Sequence, residues 1–365
     1  MTETAPDLLY SEAEEDLRAA VRSLLADRTD TPSALARAES DTPYDPRLWQ
    51  ALGAEMGLAG LLVPEKLGGQ GAGHREAAVV LEEIGRSVAP VPYLTSAVVA
   101  TETLLGLGTA TPEVASLLSD LASGRRTAVL AVPFSYGPGS LRPCDGLAGT
   151  VRTVADAATA DVLLVPTAQG LHAVEAGEAA LTALTPLDLT RPLADVCLDG
   201  ARGTLLADAD TGLAAARRGL LAGAGLLASE QLGVAEWCLT ETVAYTRDRK
   251  QFNRPVGSFQ ALKHRMAQLW LEVVSARAAA RNAADALATA SPDAPLAVAV
   301  AQAYCSRVAV RAAEECVQLH GGIGMTWEHP AHLYLKRAKS AQSALGSAGE
   351  HRASVAEIVG LPGPA

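Results

Sequence analysis

Four basic side chains lie within eight positions in a segment that follows a predicted long helix. The segment reads YTRDRKQFNRPVGSFQ, and its basic residues are Arg247, Arg249, Lys250 and Arg254. The chain as a whole is acidic, with a formal net charge of −11. Crowded like charges repel, so the cluster indicates either a solvated helix end favoured by the helix dipole or a clamp for phosphate oxygens, which Arg can bind with two parallel N–H groups.

A second candidate site follows another predicted helix, in the segment QLHGGIGMTWE. Gly321 and Gly322 have no side chain, so their backbone N–H groups can approach a phosphate or a ribose closely. A Gly-Gly helix end alone is common, and the adjacent His320 is more typical of packing or of a cofactor edge than of catalysis.

Taken together and in order, these motifs resemble those of the acyl-CoA dehydrogenase family. The first matches R-x-Q-F-x-R-P-[VI]-x-x-F-Q, with Asn253 where the family usually has Gly, and the second matches Q-x-x-G-G-x-G-x-x-x-E. LLVPEKLGGQGAG with EEIGRSVAPVPYL resembles the N-terminal signature, and GTVRTVADAATADVLLVPT resembles the hallmark of the family's β domain. The resemblance spans about residues 12–359. It implies an FAD cofactor, an acyl-CoA substrate and contacts to the FAD of an opposite subunit from Arg249, Phe252, Gln260, Gln318, Gly321 and Gly322.

The resemblance fails at the catalytic carboxylate. The family removes an α-proton with a Glu, usually in an E-G-[TS] triplet of the last helix, while hydride leaves the β-carbon for the flavin. Here the triplet falls on Leu345, Gly346 and Ser347, so Leu replaces the Glu. Gly346 and Ser347 keep the family's residue types and are predicted cofactor contacts. Some members carry the base on the first bundle helix, but that position is Gly223, or Ala224 with a one-residue slip, and neither accepts a proton.

Other carboxylates are candidates for a relocated base. Glu230 follows the alternative position by about two helical turns, Glu328 follows the Gly-Gly pair, and Glu350 follows Gly346-Ser347. Each can equally be a capping or surface acid, and Glu230 is the first candidate to test.

The flavin-facing part of the predicted β domain also departs from the family pattern. The aromatic residue and the Thr that the family packs against the flavin correspond to Thr153 and Ala155. AVPFSYGPGSL, near residues 132–141, replaces the family's T-E-x-x-A-G-S-D. Residues predicted to serve a neighbour's FAD are kept, and those of the chain's own reaction centre are lost.

This pattern is similar to the smaller chain of heteromeric actinobacterial family members, a likeness that TWEHPAHLYLKRA shares. The leading hypothesis is therefore a subunit, in a dimer or tetramer, that completes the FAD site of a base-carrying partner. Two alternative hypotheses stay open. One is a homomeric FAD enzyme with a relocated base, and the other is a non-catalytic structural subunit without FAD. The family implies an electron-transfer flavoprotein as electron acceptor.

The elements that position these motifs predict an α+β fold. Helical periodicity dominates residues 1–125, short strand-like runs between turn residues fill residues 126–207, and long helices return in residues 208–365. The sequence thus predicts an N-terminal helical domain, a small antiparallel β domain and a C-terminal four-helix bundle. The predicted bundle helices span residues 207–248, 258–290 with Ser258 as cap, 292–319 and 330–359.

Composition excludes several other classes. An acidic chain with pI near 5.2 repels nucleic acid and anionic membranes. The N-terminus has no signal-peptide pattern and no run of about 18 apolar residues occurs, so a cytoplasmic location without a membrane anchor is expected. The five cysteines lack metal-binding spacing, and no metal site is expected.

Overall fold

The N-terminal region is a set of packed helices. The computed structural model describes residues 8–29, 36–37, 40, 44–109 and 111–362. Ser11 begins the first helix with a capping box, since its hydroxyl accepts from the Glu14 N–H and the Glu14 carboxylate accepts from the Ser11 N–H. The helices are α1 (Glu12–Arg28), α2 (Pro46–Trp49), α3 (His74–Ser87), α4 (Thr101–Gly106) and α5 (Pro112–Ala122), with π-helical segments at Gln50–Glu55 and Tyr93–Ala100.

The middle region contains two small sheets. Its strands are β1 (Ala128–Leu130), β2 (Thr150–Ala155), β3 (Val162–Thr167), β4 (Gly170–Glu175), β5 (Ala180–Leu184), β6 (Leu193–Cys197) and β7 (Gly203–Asp208). One sheet has the order β1-β3-β4-β7 and the other β2-β6-β5. Every pairing is antiparallel except β1 with β3, which is parallel. The predicted antiparallel β region is confirmed with that one exception.

The C-terminal region is helical, as predicted. Its elements are α6 (Ala209–Asp248), the hairpin β8 (Lys250–Gln251) and β9 (Arg254–Pro255), α7 (Gln260–Ala288), α8 (Ala294–His320), α9 (Ala331–Ser343) and α10 (Ala348–Ile358). Since all the strands of the two sheets lie between Ala128 and Asp208, we propose 1–125, 126–207 and 208–365 as the three regions.

Two details of the predicted bundle are wrong. Ser258 does not cap α7, because Phe259 occupies the cap position and the Ser258 hydroxyl donates to the carbonyl of Pro255. The predicted fourth helix is divided into α9 and α10. Leu345 and Gly346 break it, since both have positive φ (52° and 98°), and Ser347 then begins α10.

Among the residues that the structure describes, no helix is both long and apolar enough to cross a bilayer.

Candidate cofactor and reaction sites

The basic motif forms an exposed hairpin at the end of α6. Phe252 and Asn253 have φ of +52° and +60°, the backbone of a type I′ turn, which Asn and Gly favour and bulky residues disfavour. Phe252 is nevertheless 87% exposed, touching Phe259 edge-on. Arg249 is exposed, and its side chain makes no hydrogen bond or ion pair with a described residue. Gln260 is exposed at the first position of α7.

The Gly-Gly segment lies at the same end of the molecule. His320 ends α8, and its ring centroid is 4.3 Å from that of Tyr245, one turn before Arg249. Gln318 is exposed, and a Cβ added to Gly321 or Gly322 would meet no atom within 4 Å among the described residues. The backbone of this segment is therefore open to a group that approaches from outside the described part of the chain.

Leu345 and Gly223, two of the positions matched by sequence to the family's base, are neighbours in this structure. A Cβ at Gly223 would lie 3.1 Å from Cδ1 of Leu345 and 2.5 Å from Cγ2 of Val99. Leu345 is buried and lines a small apolar cavity of about 20 Å³. The other lining residues include Leu94, Thr95, Val99, Phe134, Ala155 and Leu220. One position holds an apolar side chain and the other has no room for one.

The turn that carries Leu345 is fastened to the segment that replaces the family's T-E-x-x-A-G-S-D. The N–H of Leu345 donates to the carbonyl of Phe134 at 2.8 Å, and the N–H of Gly346 donates to that of Ser135 at 3.1 Å. Ala155 lines the cavity, whereas Thr153 is exposed with φ of +54°. Of the two matched β-domain positions, only Ala155 therefore lies at the cavity.

A wide groove opens beside Gly346. It has a volume of about 710 Å³ and runs between the loop at residues 137–142, α8 and α10. His351 lies at its wall, where its ring Nε2 hydrogen bonds to the carbonyl of Leu345 at 3.0 Å. The groove is large enough for part of a small molecule.

The two sites are far apart along the chain's longest helix. Gly223 and Asp248 both lie in α6. At about 1.5 Å of rise per residue, the 25 steps between them (248 − 223) correspond to roughly 38 Å. A group bound at the hairpin and Gly-Gly segment therefore lies far from Leu345 of the same chain.

Glu230 lies in a buried ionic network. Its two carboxylate oxygens pair with Arg191 at 2.6 Å and with Arg337 at 3.0 Å, and all three side chains are buried. Burial opposes ionisation of Glu230, but the charges of Arg191 and then Arg337 outweigh it and hold its pKa below the ordinary value. A carboxylate held by two guanidinium groups is a poor proton acceptor, and Glu230 does not line the cavity at Leu345.

The other candidate carboxylates have local roles or none. Glu350 completes a capping box with Ser347, whose N–H donates to the Glu350 carboxylate at 2.8 Å. Glu328 is exposed in the segment after α8. Neither forms part of the cavity at Leu345.

Sequence reasoning missed a buried acid beside that cavity. Asp156 accepts a hydrogen bond from Thr95 at 2.6 Å, and burial raises the pKa of Asp156 to about 6 against the nearby charge of Arg191. Its only sequence signal is that it follows Ala155, a position already matched to the family's flavin contact.

Comparison with known proteins gives the same family for both ends of the chain. The model described as "Acyl-CoA dehydrogenase, N-terminal domain" matches residues 11–125, and the one described as "Acyl-CoA dehydrogenase, C-terminal domain" matches residues 210–360. "Acyl-CoA dehydrogenase IpdE2" of Mycolicibacterium smegmatis is 37% identical, over 92% of this chain and 95% of its own length. "Acyl-CoA dehydrogenase FadE27" of Mycobacterium tuberculosis is 33% identical, over 94% of this chain and 95% of its own length.

Two solved structures are also similar. The ChsE4–ChsE5 complex from Mycobacterium tuberculosis contains a chain with a TM-score of 0.86 and 29% identity, covering 98% of this chain and 100% of that one. A variant of the Tcur3481–Tcur3483 steroid ACAD gives a TM-score of 0.84 and 29% identity, covering 96% and 98% of the two chains.

Proposed function

This chain belongs to the acyl-CoA dehydrogenase family, and from that premise we propose that it is one subunit of a heteromeric acyl-CoA dehydrogenase. In this proposal it completes the FAD site of a partner subunit, and the partner carries the catalytic carboxylate. FAD, when bound, supplies the electron acceptor for α,β-desaturation of an acyl-CoA thioester.

The separation of the two sites supports a role for this chain at a cofactor held by another subunit, and the absence of a carboxylate at Leu345 and Gly223 supports a partner that carries the base. The predicted cofactor residues lie at one end of α6, and Leu345 packs against Gly223 roughly 38 Å away along the helix. Residues at the hairpin therefore cannot act on a reaction centre at Leu345 through direct contact. This separation supports a role toward a group that another subunit holds.

The residues at the hairpin fit a dinucleotide that approaches from outside. Arg249 offers an exposed guanidinium without a partner among the described residues, suited to a pyrophosphate. Gly321 and Gly322 leave their backbone open. These residues would bind and orient the cofactor and hold no proton in the reaction.

The two positions matched to the family's base offer neither a carboxylate nor space in this chain. Leu345 and Gly223 occupy the two expected base positions, and the cavity beside them, about 20 Å³, has room for about one water molecule. These features favour a subunit that relies on its partner over a homomeric enzyme with a relocated base.

Exposed apolar side chains support an assembly with a second subunit. Isolated surface apolar residues are ordinary, but an accumulation on neighbouring elements is typical of protein interfaces. Six such side chains are exposed on the hairpin, the segment after α8 and α7, namely Phe252, Ile323, Met325, Trp327, Trp270 and Leu271. The names of the two solved relatives, each a pair of chains, agree with a heteromer.

Flavin retention tests the proposal directly. We co-express the chain with a family member that has an intact E-G-[TS] triplet, purify the complex and measure bound flavin by its visible absorbance. Arg249→Ala should weaken flavin binding by roughly 10- to 100-fold, because a charge-assisted hydrogen bond contributes about 1.5–3 kcal/mol. Arg217→Ala, which alters an exposed Arg near the opposite end of α6, is the matched control and should leave flavin binding unchanged.

Two outcomes would contradict the proposal. Flavin content unaffected by both Arg249→Ala and Gln260→Ala would support a structural subunit without a role at FAD. A yellow chain, purified alone and bleached by an acyl-CoA under anaerobic conditions, would support the homomeric enzyme.

The strained turn gives a second test. In the isolated chain, Phe252→Gly should not lower the free energy of unfolding and should raise it by up to about 1 kcal/mol, because Gly adopts positive φ without the penalty that Phe incurs. In the co-expressed complex the same change should weaken flavin binding or assembly, because an exposed aromatic platform is lost.

Asn253→Gly is the control for that substitution, since it also places Gly in the turn and removes no aromatic ring. Urea denaturation gives the stability, and size-exclusion chromatography with flavin absorbance gives the assembly. A destabilised Phe252→Gly chain with unchanged flavin binding would mean that Phe252 serves only its own fold.

A further inference from the structure

Three potential metal ligands converge beside the Gly-Gly segment. Glu241 lies on α6, His320 is the last residue of α8, and His329 lies two residues before α9 begins. Each offers one ligand atom, and the three atoms lie within 4.8 Å of one another. His320 and His329 are nine residues apart and Glu241 is far from both along the chain, a spacing that gave no metal-binding signal.

His320 is prepared as a ligand by its surroundings. Its ring Nδ1 lies 2.7 Å from the carbonyl oxygen of Cys316, and since a carbonyl only accepts, this bond places the proton on Nδ1. In the neutral ring, Nε2 then carries the lone pair. The side chain is 2% exposed, and Nε2 has no hydrogen-bond partner among the described residues.

An unpaired buried acceptor is costly, at about 1–3 kcal/mol. A histidine that donates Nδ1–H to a backbone carbonyl and presents Nε2 is the arrangement typical of metal ligands. A cation between the three groups would satisfy the lone pair of His320.

The side chains of Glu241 and His329 can turn toward a metal at a small cost in free energy. Glu241 is half-buried, and its carboxylate makes no hydrogen bond or ion pair with a described residue. The ring centroid of His329 is 4.2 Å from that of His320. The N–H of Ala331 donates to Nδ1 of His329 at 3.2 Å, and ring rotation toward a metal would give up this long bond, worth about 0.5–1.5 kcal/mol.

We propose that Glu241, His320 and His329 bind a divalent transition-metal ion, and that zinc suits the site best. Two imidazole nitrogens and one carboxylate oxygen form a ligand set that zinc accepts, with a fourth position for water. Bonds of about 2.0–2.1 Å require the ligand atoms to move closer together than 4.8 Å, which rotation of the half-buried Glu241 and His329 side chains allows. The proposal replaces the expectation of no metal site.

A metal here would hold a functional segment in place. The site joins α6 and α8 to the segment that carries Gly321, Gly322 and the exposed Met325. The metal would act as a structural clamp on this segment. The inference rests on the geometry of the cluster and does not depend on the proposed flavin role.

Metal titration of the full chain tests the site. The chain, free of affinity tag and stripped with a chelator, is titrated with Zn²⁺ against a competing dye, and Co²⁺ serves as a spectroscopic probe of coordination. We expect one Zn²⁺ per chain, a rise in melting temperature on binding, and a Co²⁺ spectrum typical of nitrogen and oxygen ligands in a four-coordinate site.

The variants are chosen to keep the fold. His329→Gln and Glu241→Gln alter half-buried residues, avoid the buried His320, and should each weaken Zn²⁺ binding at least about 10-fold and abolish the rise in melting temperature. His264→Gln, on the exposed face of α7, should bind like the unaltered chain. Circular dichroism confirms that each variant is folded. The absence of tight Zn²⁺ binding, or equal binding by His329→Gln and the unaltered chain, would overturn the proposal.

Discussion

Arg337→Ala is expected to lower the free energy of unfolding by about 3–5 kcal/mol, because it leaves buried carboxylates without their partner. Nε of Arg337 pairs with Asp188 at 2.6 Å and Nη1 pairs with Glu230 at 3.0 Å, and the three side chains are each 1% exposed. The guanidinium also donates to the hydroxyl of Thr190 at 2.6 Å. The network connects α9 and α6 to the segment between β5 and β6, so its loss should also loosen the β region.

Urea denaturation of the purified chain at pH 7 measures this loss. Arg202→Ala is the control, since it removes an exposed pair with Glu178 and should change stability little. A loss of the same size in both variants, or a negligible loss in Arg337→Ala, would show that the buried network does not stabilise the fold.

The same network gives a pH dependence of defined sign. The pKa of Glu230 is lower in the folded chain than its ordinary value of 4.5. Glu230 therefore contributes stability that is fully present above about pH 4.5 and is lost as the pH falls through the folded pKa. Arg337→Ala removes one of the two charges that lower this pKa, so the difference from the unaltered chain should be largest near pH 7 and should narrow below about pH 4.5. A difference in unfolding free energy that widens as the pH falls would contradict the role of Arg337 in lowering the pKa of Glu230.

Leu345→Glu should destabilise the chain by at least about 3 kcal/mol and should not make it an active dehydrogenase by itself. The side chain of Leu345 is buried among apolar residues around a cavity of about 20 Å³. Full burial raises the pKa of a carboxyl group by up to about 3–5 units, and each unit corresponds to a free-energy cost of about 1.4 kcal/mol for the ionised form. The isolated variant, mixed with FAD and an acyl-CoA, should show no bleaching.

Leu345→Met is the matched control, because it preserves volume and should cost less than about 1.5 kcal/mol. Denaturation measures stability, and anaerobic absorbance measures bleaching. A stable Leu345→Glu chain that binds flavin and is bleached by an acyl-CoA would show that the missing carboxylate was all the chain lacked. That result would contradict the heteromeric proposal and would indicate a homomeric enzyme that has lost only its catalytic Glu.

Much of the fold follows from local pattern. The helical periodicity of residues 1–125 and the turn-separated strand runs of residues 126–207 predict the helical and β regions, because periodicity depends on residues close in sequence. Local reasoning failed where the pattern was ambiguous. The last predicted helix reads as continuous, yet Leu345 and Gly346 adopt positive φ, because the turn hydrogen bonds to Phe134 and Ser135 from a distant segment.

The sequence by itself determined the family, the three-part architecture and the residues to consider as cofactor contacts, since all of these depend on motifs read along the chain. Only the tertiary structure decided that Leu345 contacts Gly223, that the hairpin at Arg249 lies far from both, and that Glu230 is held by two arginines. The same holds for His320, whose unpaired Nε2 becomes evident only beside Glu241 and His329. The physical reason is that burial, ion pairing and ligand geometry depend on which distant side chains are brought together by packing. The spacing of residues along the chain does not contain that information.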